Sequence, residues 1–196
     1  VAEFNGVGHA NNNQVRVIVP SGDLLYVGGS FTSMGGAACN RLIALDATTG
    51  DATSWAPNAN GDVYAIALTD TTAMVGGAFT QMNSTSRARF AELSRSTGAL
   101  TTFNPGASNT VWALAISGDT LFSAGDFTTF YGQPRTRLAA VRRSPAPVLL
   151  NWDPTADNVV YSIVVESGSV RFSGAFVSAG NPAVERRRMA EVDREN

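Results

Sequence analysis

At 196 residues, with 44% hydrophobic residues, only 15% charged and a formal net charge of −2, the chain is long enough for one well-buried domain or one cooperative array of small units. The near-neutral charge argues against a nucleic-acid partner, which needs a basic stripe, and no apolar run approaches the roughly 18–20 residues of a membrane helix. The opening VAEFNGVGHA has neither a basic n-region nor an apolar h-region, so any signal peptide is expected to be absent or already removed.

In chain order, AEFN (Ala2–Asn5) resembles a strand that has lost its unit. The first full unit begins with VRVIV (Val15–Val19), followed by YVGGSFT (Tyr26–Thr32), the loop SMGGAAC, the strand RLIALD, the turn TTG, and Trp55 two residues before Pro57. The second unit runs VYAIAL, AMVGGAFT, the polar loop NSTSRA, RFAEL, STG and LTTFNP. The third and fourth repeat the order with VWALAI, FSAGDFT, then VYSIVV, FSGAFV. Segments of five to eight β-branched and aromatic residues bounded by Gly, Asn, Asp and Ser read as strands, and no stretch sustains a helical period.

The period is strict. Phe31, Phe79, Phe127 and Phe176 fall 48, 48 and 49 residues apart, as do Gly29, Gly77, Gly125 and Gly174. Trp55, Phe103 and Trp152 keep 48 and 49, each two residues before a proline, while Arg41, Arg89, Arg137 and Arg188 keep 48, 48 and 51. Four strands per unit of about 48 residues match propeller blades. The first strands are almost continuously apolar after their second residue, which predicts cover on both faces. The expectation is therefore all-β, a single propeller of four four-stranded blades at about 13–60, 61–108, 109–157 and 158–196. Residues 1–12, with Phe4, would supply a strand that completes the last blade and closes the ring. Two chains forming one eight-bladed ring, or a fragment of a longer array, stay open. Paired glycines weaken a strand interior, so the repeated GG predicts close approach of a neighbouring sheet, with the following Phe filling the space beside it.

The repeat GGxFT…(N/T)RLxALDxxTGxxxxWxPNAxGxVxAL resembles the bacterial delta-60-like repeats and related β-propeller domains of unassigned function. The similarity spans almost the whole chain, is strongest from Val15 to Val141, and fades where RSPAPVLLNWDP replaces the TTG turn. It implies a propeller fold and a secreted or cell-surface setting. It carries over no catalytic residues.

Chemistry is sparse. His9 and Cys39 are the sole histidine and cysteine, so ordinary zinc sites, intramolecular disulfides and histidine-based triads are not expected. No calcium-loop spacing is present, and the reading calls for no cofactor. The run Arg186–Arg188 reads as a solvated loop. Asp126 breaks its column beside Gly125 and predicts a buried carboxylate paired with Arg135 or Arg137. Glu92 and Glu191 stand where Ala44 and Ala140 stand elsewhere, and read as edge-facing.

Arg16, Tyr64, Trp112 and Tyr161 share the second position of the first strand and are the candidate ligand-binding ring at one end of the axis. Packing between blades, or plugging of the channel, competes with that reading. Met34, Met82, Phe130 and Tyr131 are loop candidates, because variable loops on a rigid scaffold usually carry binding. The expected function is a non-catalytic extracellular binding or scaffold module that contacts a protein or glycan through one face. The alternatives are a lectin with repeated sugar sites, a carbohydrate-active enzyme with paired carboxylates, and a subunit of a larger surface assembly.

Overall fold

The computed structural model describes residues 14–194. The proposed closing strand with Phe4, and His9, lie outside them. Among the described residues there is no helix, and every regular element is a strand.

Blade one contains β1 (Val15–Ser21), β2 (Leu24–Gly29) and β3 (Leu42–Asp46); blade two contains β4 (Val63–Leu68), β5 (Thr72–Gly77) and β6 (Phe90–Ser94). Blade three contains β7 (Val111–Ser117), β8 (Thr120–Gly125), β9 (Leu138–Arg142) and β10 (Val148–Leu149); blade four contains β11 (Val160–Val165), β12 (Ser169–Gly174) and β13 (Met189–Asp193). Each is an antiparallel meander in chain order. The fourth strand is shorter than the sequence suggests. Among the described residues, blade three alone pairs it regularly, through β10. In blades one and two it shrinks to the bridges Leu45–Ala52 and Leu93–Leu100.

β4 packs against β1, β7 against β4, and β11 against β7, while no comparable packing joins β11 back to β1. The described blades thus form an arc whose first and last inner strands do not pack on each other, while the strand expected to close the ring lies outside the described residues. The cost appears at its ends. Val15 and Ile18 on β1, and Val164 on β11, are exposed, so the expectation that every first strand is covered on both faces holds only inside the arc.

Between blades the core is continuous. Tyr26, Leu42, Ala44 and Trp55 of blade one meet Val63, Ile66, Val75 and Ala91 of blade two, and the same arrangement recurs around Phe122 and Trp152 of blade three against Val160 and Ile163 of blade four. Trp55 and Trp152 stand edge-on to Tyr26 and Phe122, a geometry that adds about 1 kcal/mol each beyond area burial. Their indole N–H groups donate to the Ser94 and Asp193 carbonyls of the following blade, at 2.9 and 3.0 Å.

The glycine pair has two explanations rather than one. A Cβ on Gly28 or Gly76 would lie 2.5 or 2.6 Å from Cγ1 of Val63 or Val111 in the next blade, which is the expected sheet approach. A Cβ on Gly29, Gly77, Gly125 or Gly174 would instead lie 2.0–2.2 Å from a backbone carbonyl just before the first strand of its own blade. The following Phe lies beside this glycine as expected, for example Phe79 at 3.0 Å.

Arg41, Arg89, Arg137 and Arg188 all adopt the left-handed conformation, with φ of 67, 64, 71 and 70°. In each blade the arginine N–H donates to the carbonyl of the repeat phenylalanine, and its C=O accepts from the repeat glycine. The side chains reward this unusual backbone by donating to loop carbonyls, Arg41 to Ala59 at 3.0 Å and Arg188 to Ala175 at 3.1 Å. The column tightens the entry to the third strand. Arg186 and Arg187 beside it are exposed, as a solvated loop requires.

Candidate functional site

The four ring candidates share a backbone feature that the sequence did not disclose. The β1–β2 register shifts between Val15 and Val17, and the equivalent shifts occur between Val63 and Ala65, Val111 and Ala113, and Val160 and Ser162. Arg16, Tyr64, Trp112 and Tyr161 are therefore the bulged residues of their blades. A bulge adds an unpaired residue and re-aims its side chain, and here the bulge sits opposite the glycine that receives the preceding carbonyl.

The result is a row. The Arg16 guanidinium lies 5.8 Å from the Tyr64 ring centroid. Tyr64 stacks on Trp112 at 4.2 Å and 28°, and Trp112 meets Tyr161 edge-on at 5.6 Å and 82°. Each side chain thus packs partly on its neighbours, as the competing reading held, yet Arg16 and Tyr161 at the two ends are exposed. The row is an amphipathic strip.

At its Arg16 end a polar cleft of about 370 Å³ is lined by Gln14, Arg16, Ser30, Arg41 and Asp62. Asp62 accepts from the Tyr64 hydroxyl at 3.3 Å and faces Arg41 Nε at 3.6 Å. Burial, followed by the Asp62 charge, pushes the Tyr64 hydroxyl pKa up, so Tyr64 serves as a neutral donor at physiological pH. The cleft offers two cations, one carboxylate and amide and hydroxyl groups beside an aromatic face.

The loop candidates belong elsewhere. Met82 and Phe130 are wholly buried, and Met34 and Tyr131 pack against the clusters of their blades. Each of Met34, Met82 and Phe130 sits in a two-residue strand of a small hairpin. Met82 and Phe130 bridge to Ala59 and Ala107, the residues that lead into the adjacent first strand. These side chains anchor the hairpins, and the matching spacing that drew attention to them was a packing signal.

The acids also resolve. Asp126 pairs with Arg137 at 2.9 Å and accepts from Asn109 at 2.9 Å, but it is about one-third exposed rather than buried. Glu92 is buried, against the edge-facing expectation. It accepts from Thr72 at 3.0 Å and Thr101 at 2.6 Å, and Arg143 of blade three reaches it at 3.2 Å. Glu191 is exposed and bound by Arg171. Cys39 is buried, and burial raises its thiol pKa, so it is packing rather than a nucleophile. No cluster of three or more metal-ligating side chains occurs among the described residues.

A family model for the Rax2 C-terminal β-propeller domain matches residues 5–131, which is more than half of the chain. The chain belongs to the Rax2 C-terminal β-propeller family. The likeness to delta-60-like repeats stays a resemblance beside it. Among solved structures, the computationally designed Ika4 protein aligns with a TM-score of 0.60 at 13% identity, over 94% of each chain. A chain of the mitotic checkpoint complex aligns with a TM-score of 0.59 at 16% identity, over 89% of this chain and 49% of that one. At such identities the likeness establishes the propeller fold alone. No curated protein matches the chain.

Proposed function

We propose that this propeller is a non-catalytic binding or scaffold module that takes a protein or glycan partner on the end of the arc where the first strands begin. The β-propeller fold suits a scaffold for interactions, but function has to be argued from a site. The observation that supports this reading is the row of four bulged side chains, Arg16, Tyr64, Trp112 and Tyr161, gathered into one partly exposed strip beside a polar cleft. Aromatic faces with polar tips stack on the flat faces of sugars or on aromatic and cationic side chains of a protein. The cleft adds hydrogen-bonding groups that fix orientation. A secreted or cell-surface setting, implied by the repeat resemblance, belongs to the same proposal.

The test is a glycan-array and candidate-protein screen of the chain alongside Tyr161→Ala. Tyr161 is half-exposed, so its removal should leave melting within about 3 °C while weakening any specific binding tenfold or more. Binding that tracks Tyr161 on the glycan array makes the module a lectin. Binding that ignores both Tyr161→Ala and Arg16→Ala, in folded proteins, places the site elsewhere.

A further inference from the structure

We propose that a cleft between blades one and two binds a neutral pyranose sugar through two adjacent hydroxyl groups. The site uses none of the axial row and does not depend on what that row binds.

The cleft has a volume of about 380 Å³ and is lined by Asn40, Asn58, Gln81 and Ser84 among others. Asn40 stands at the entry to β3, Asn58 in the connection into β4, and Gln81 and Ser84 in the hairpin between β5 and β6. It lies at an internal blade junction, not at either end of the arc.

The next junction supplies the control. Its backbone is the same: the Ala107 N–H donates to the Ala88 carbonyl as that of Ala59 does to Asn40, and the Tyr131 N–H donates to Gly106 as that of Asn83 does to Asn58. Its side chains are stripped. Ala88 stands in the column of Asn40, Gly106 in that of Asn58 and Gly132 in that of Ser84. Blades therefore join without the amide cluster. A Cβ on Gly106 would lie 3.6 Å from Cβ of Ala88, and in the first junction Asn40 Nδ2 donates to Asn58 Oδ1 at 3.1 Å, so the same two columns adjoin in both. Ser84 is the more telling exchange. Its φ of 60° is a left-handed conformation that serine adopts only with strain, where blades one and three place Gly36 and Gly132 at 79 and 73°. A Cβ on either of those glycines would meet nothing within 4 Å. The Ser84 hydroxyl is thus presented to the cleft and not held by packing.

The free groups set the ligand chemistry. The Asn40–Asn58 bond leaves Asn40 Oδ1 as an acceptor and Asn58 Nδ2 as a donor. Neither these atoms nor the Gln81 amide and Ser84 hydroxyl have a partner among the described residues. The frame around them is fixed. Asn83 accepts from the Asn58 N–H at 2.9 Å and donates to the Gly98 carbonyl at 3.1 Å, while Asn60 accepts from the Thr80 and Gln81 N–H groups. Among the described residues lining the cleft, Arg41 alone is charged, and its guanidinium already donates to the Ala59 carbonyl at 3.0 Å and faces Asp62 at 3.6 Å. An anion would compete with Asp62 for it, and a metal ion finds no carboxylate in the lining. Fixed amides that offer both donors and acceptors match adjacent hydroxyls, each of which donates and accepts.

Nuclear magnetic resonance titration of the isotope-labelled chain with the methyl glycosides of glucose, mannose and galactose, at millimolar concentration, tests the proposal. At least one should shift the side-chain amide signals of Asn58 and Gln81 saturably. Asn40→Ala combined with Ser84→Gly installs the residues of the next junction, so circular dichroism should show the variant folded. It should weaken binding about tenfold, while Tyr161→Ala, in the axial row, leaves binding unchanged. No shift with any of the glycosides, or binding indifferent to the double variant, overturns the proposal. Shifts of the same signals by N-acetylglycine methylamide and not by the glycosides overturn it too, and make the cleft a reader of peptide groups.

Discussion

At the scale of single residues, one repeated position does the same work with three different side chains. Asn60 accepts from the backbone N–H groups of Thr80 and Gln81, Ser108 from those of Thr128 and Thr129, and Asp157 from those of Val177 and Ser178. Asp157 alone is ionisable, and the Val177 N–H, with further help from Ser178, lowers its pKa in the folded chain. The stability that its carboxylate confers is fully present above the unfolded-state pKa, near 4, and is lost as pH falls through the lower folded value. Asp157→Asn keeps the accepting oxygen, as Asn60 shows. It should change Tm at neutral pH by no more than roughly 3 °C and flatten the fall of Tm with acidification, measured by calorimetry from pH 7 to 3. Gly77→Ala should behave very differently. Its Cβ would meet the Asp62 carbonyl oxygen, a backbone atom with little room to yield, at 2.1 Å, at a cost on the order of 3 kcal/mol, or roughly 10 °C of Tm. Spacing identified these glycines, but it could not say which of the pair met a valine and which a carbonyl. That depends on the bulge, and register is invisible in a one-dimensional pattern.

At the scale of elements, the blade is tied to its neighbour by more than apolar area. Glu92 and Arg143 lie 3.2 Å apart with side chains only 8% and 17% exposed. Arg143→Ala leaves a buried carboxylate with two hydroxyl donors, and should cost about 3 kcal/mol in denaturant unfolding. Adding Glu92→Ala should restore about half of that, since buried Ala44 and Ala140 fill the same column in blades one and three. A double variant no better than the single would show the loss to be packing rather than stranded charge. The first three strands of each blade were legible because apolar runs between turn residues survive without context. The fourth strands of blades one and two were not, because a segment held by a single bridge leaves little pattern. Glu92 was misplaced for a related reason: a carboxylate in an alanine column looks exposed until the arginine 51 residues away is brought beside it.

At the scale of the whole molecule, a strict 48-residue period places equivalent residues at equivalent points of successive blades, so one sequence column becomes one physical row. The all-β propeller was readable from that period alone. Closure was not, because the repeat fixes what each blade offers its neighbour and not how many neighbours there are. The candidate strip was legible as a column that holds three aromatics, whereas the regularity of Met82 and Phe130 reflects packing. The central claim, that residues about 48 positions apart converge through four bulges into one strip, is tested most directly by nuclear Overhauser contacts between aromatic ring protons. Strong cross-peaks between Tyr64 and Trp112, whose centroids are 4.2 Å apart, and clear ones between Trp112 and Tyr161 at 5.6 Å, are the predicted result. Their absence from a folded, well-dispersed spectrum would contradict the row and the function proposed for it.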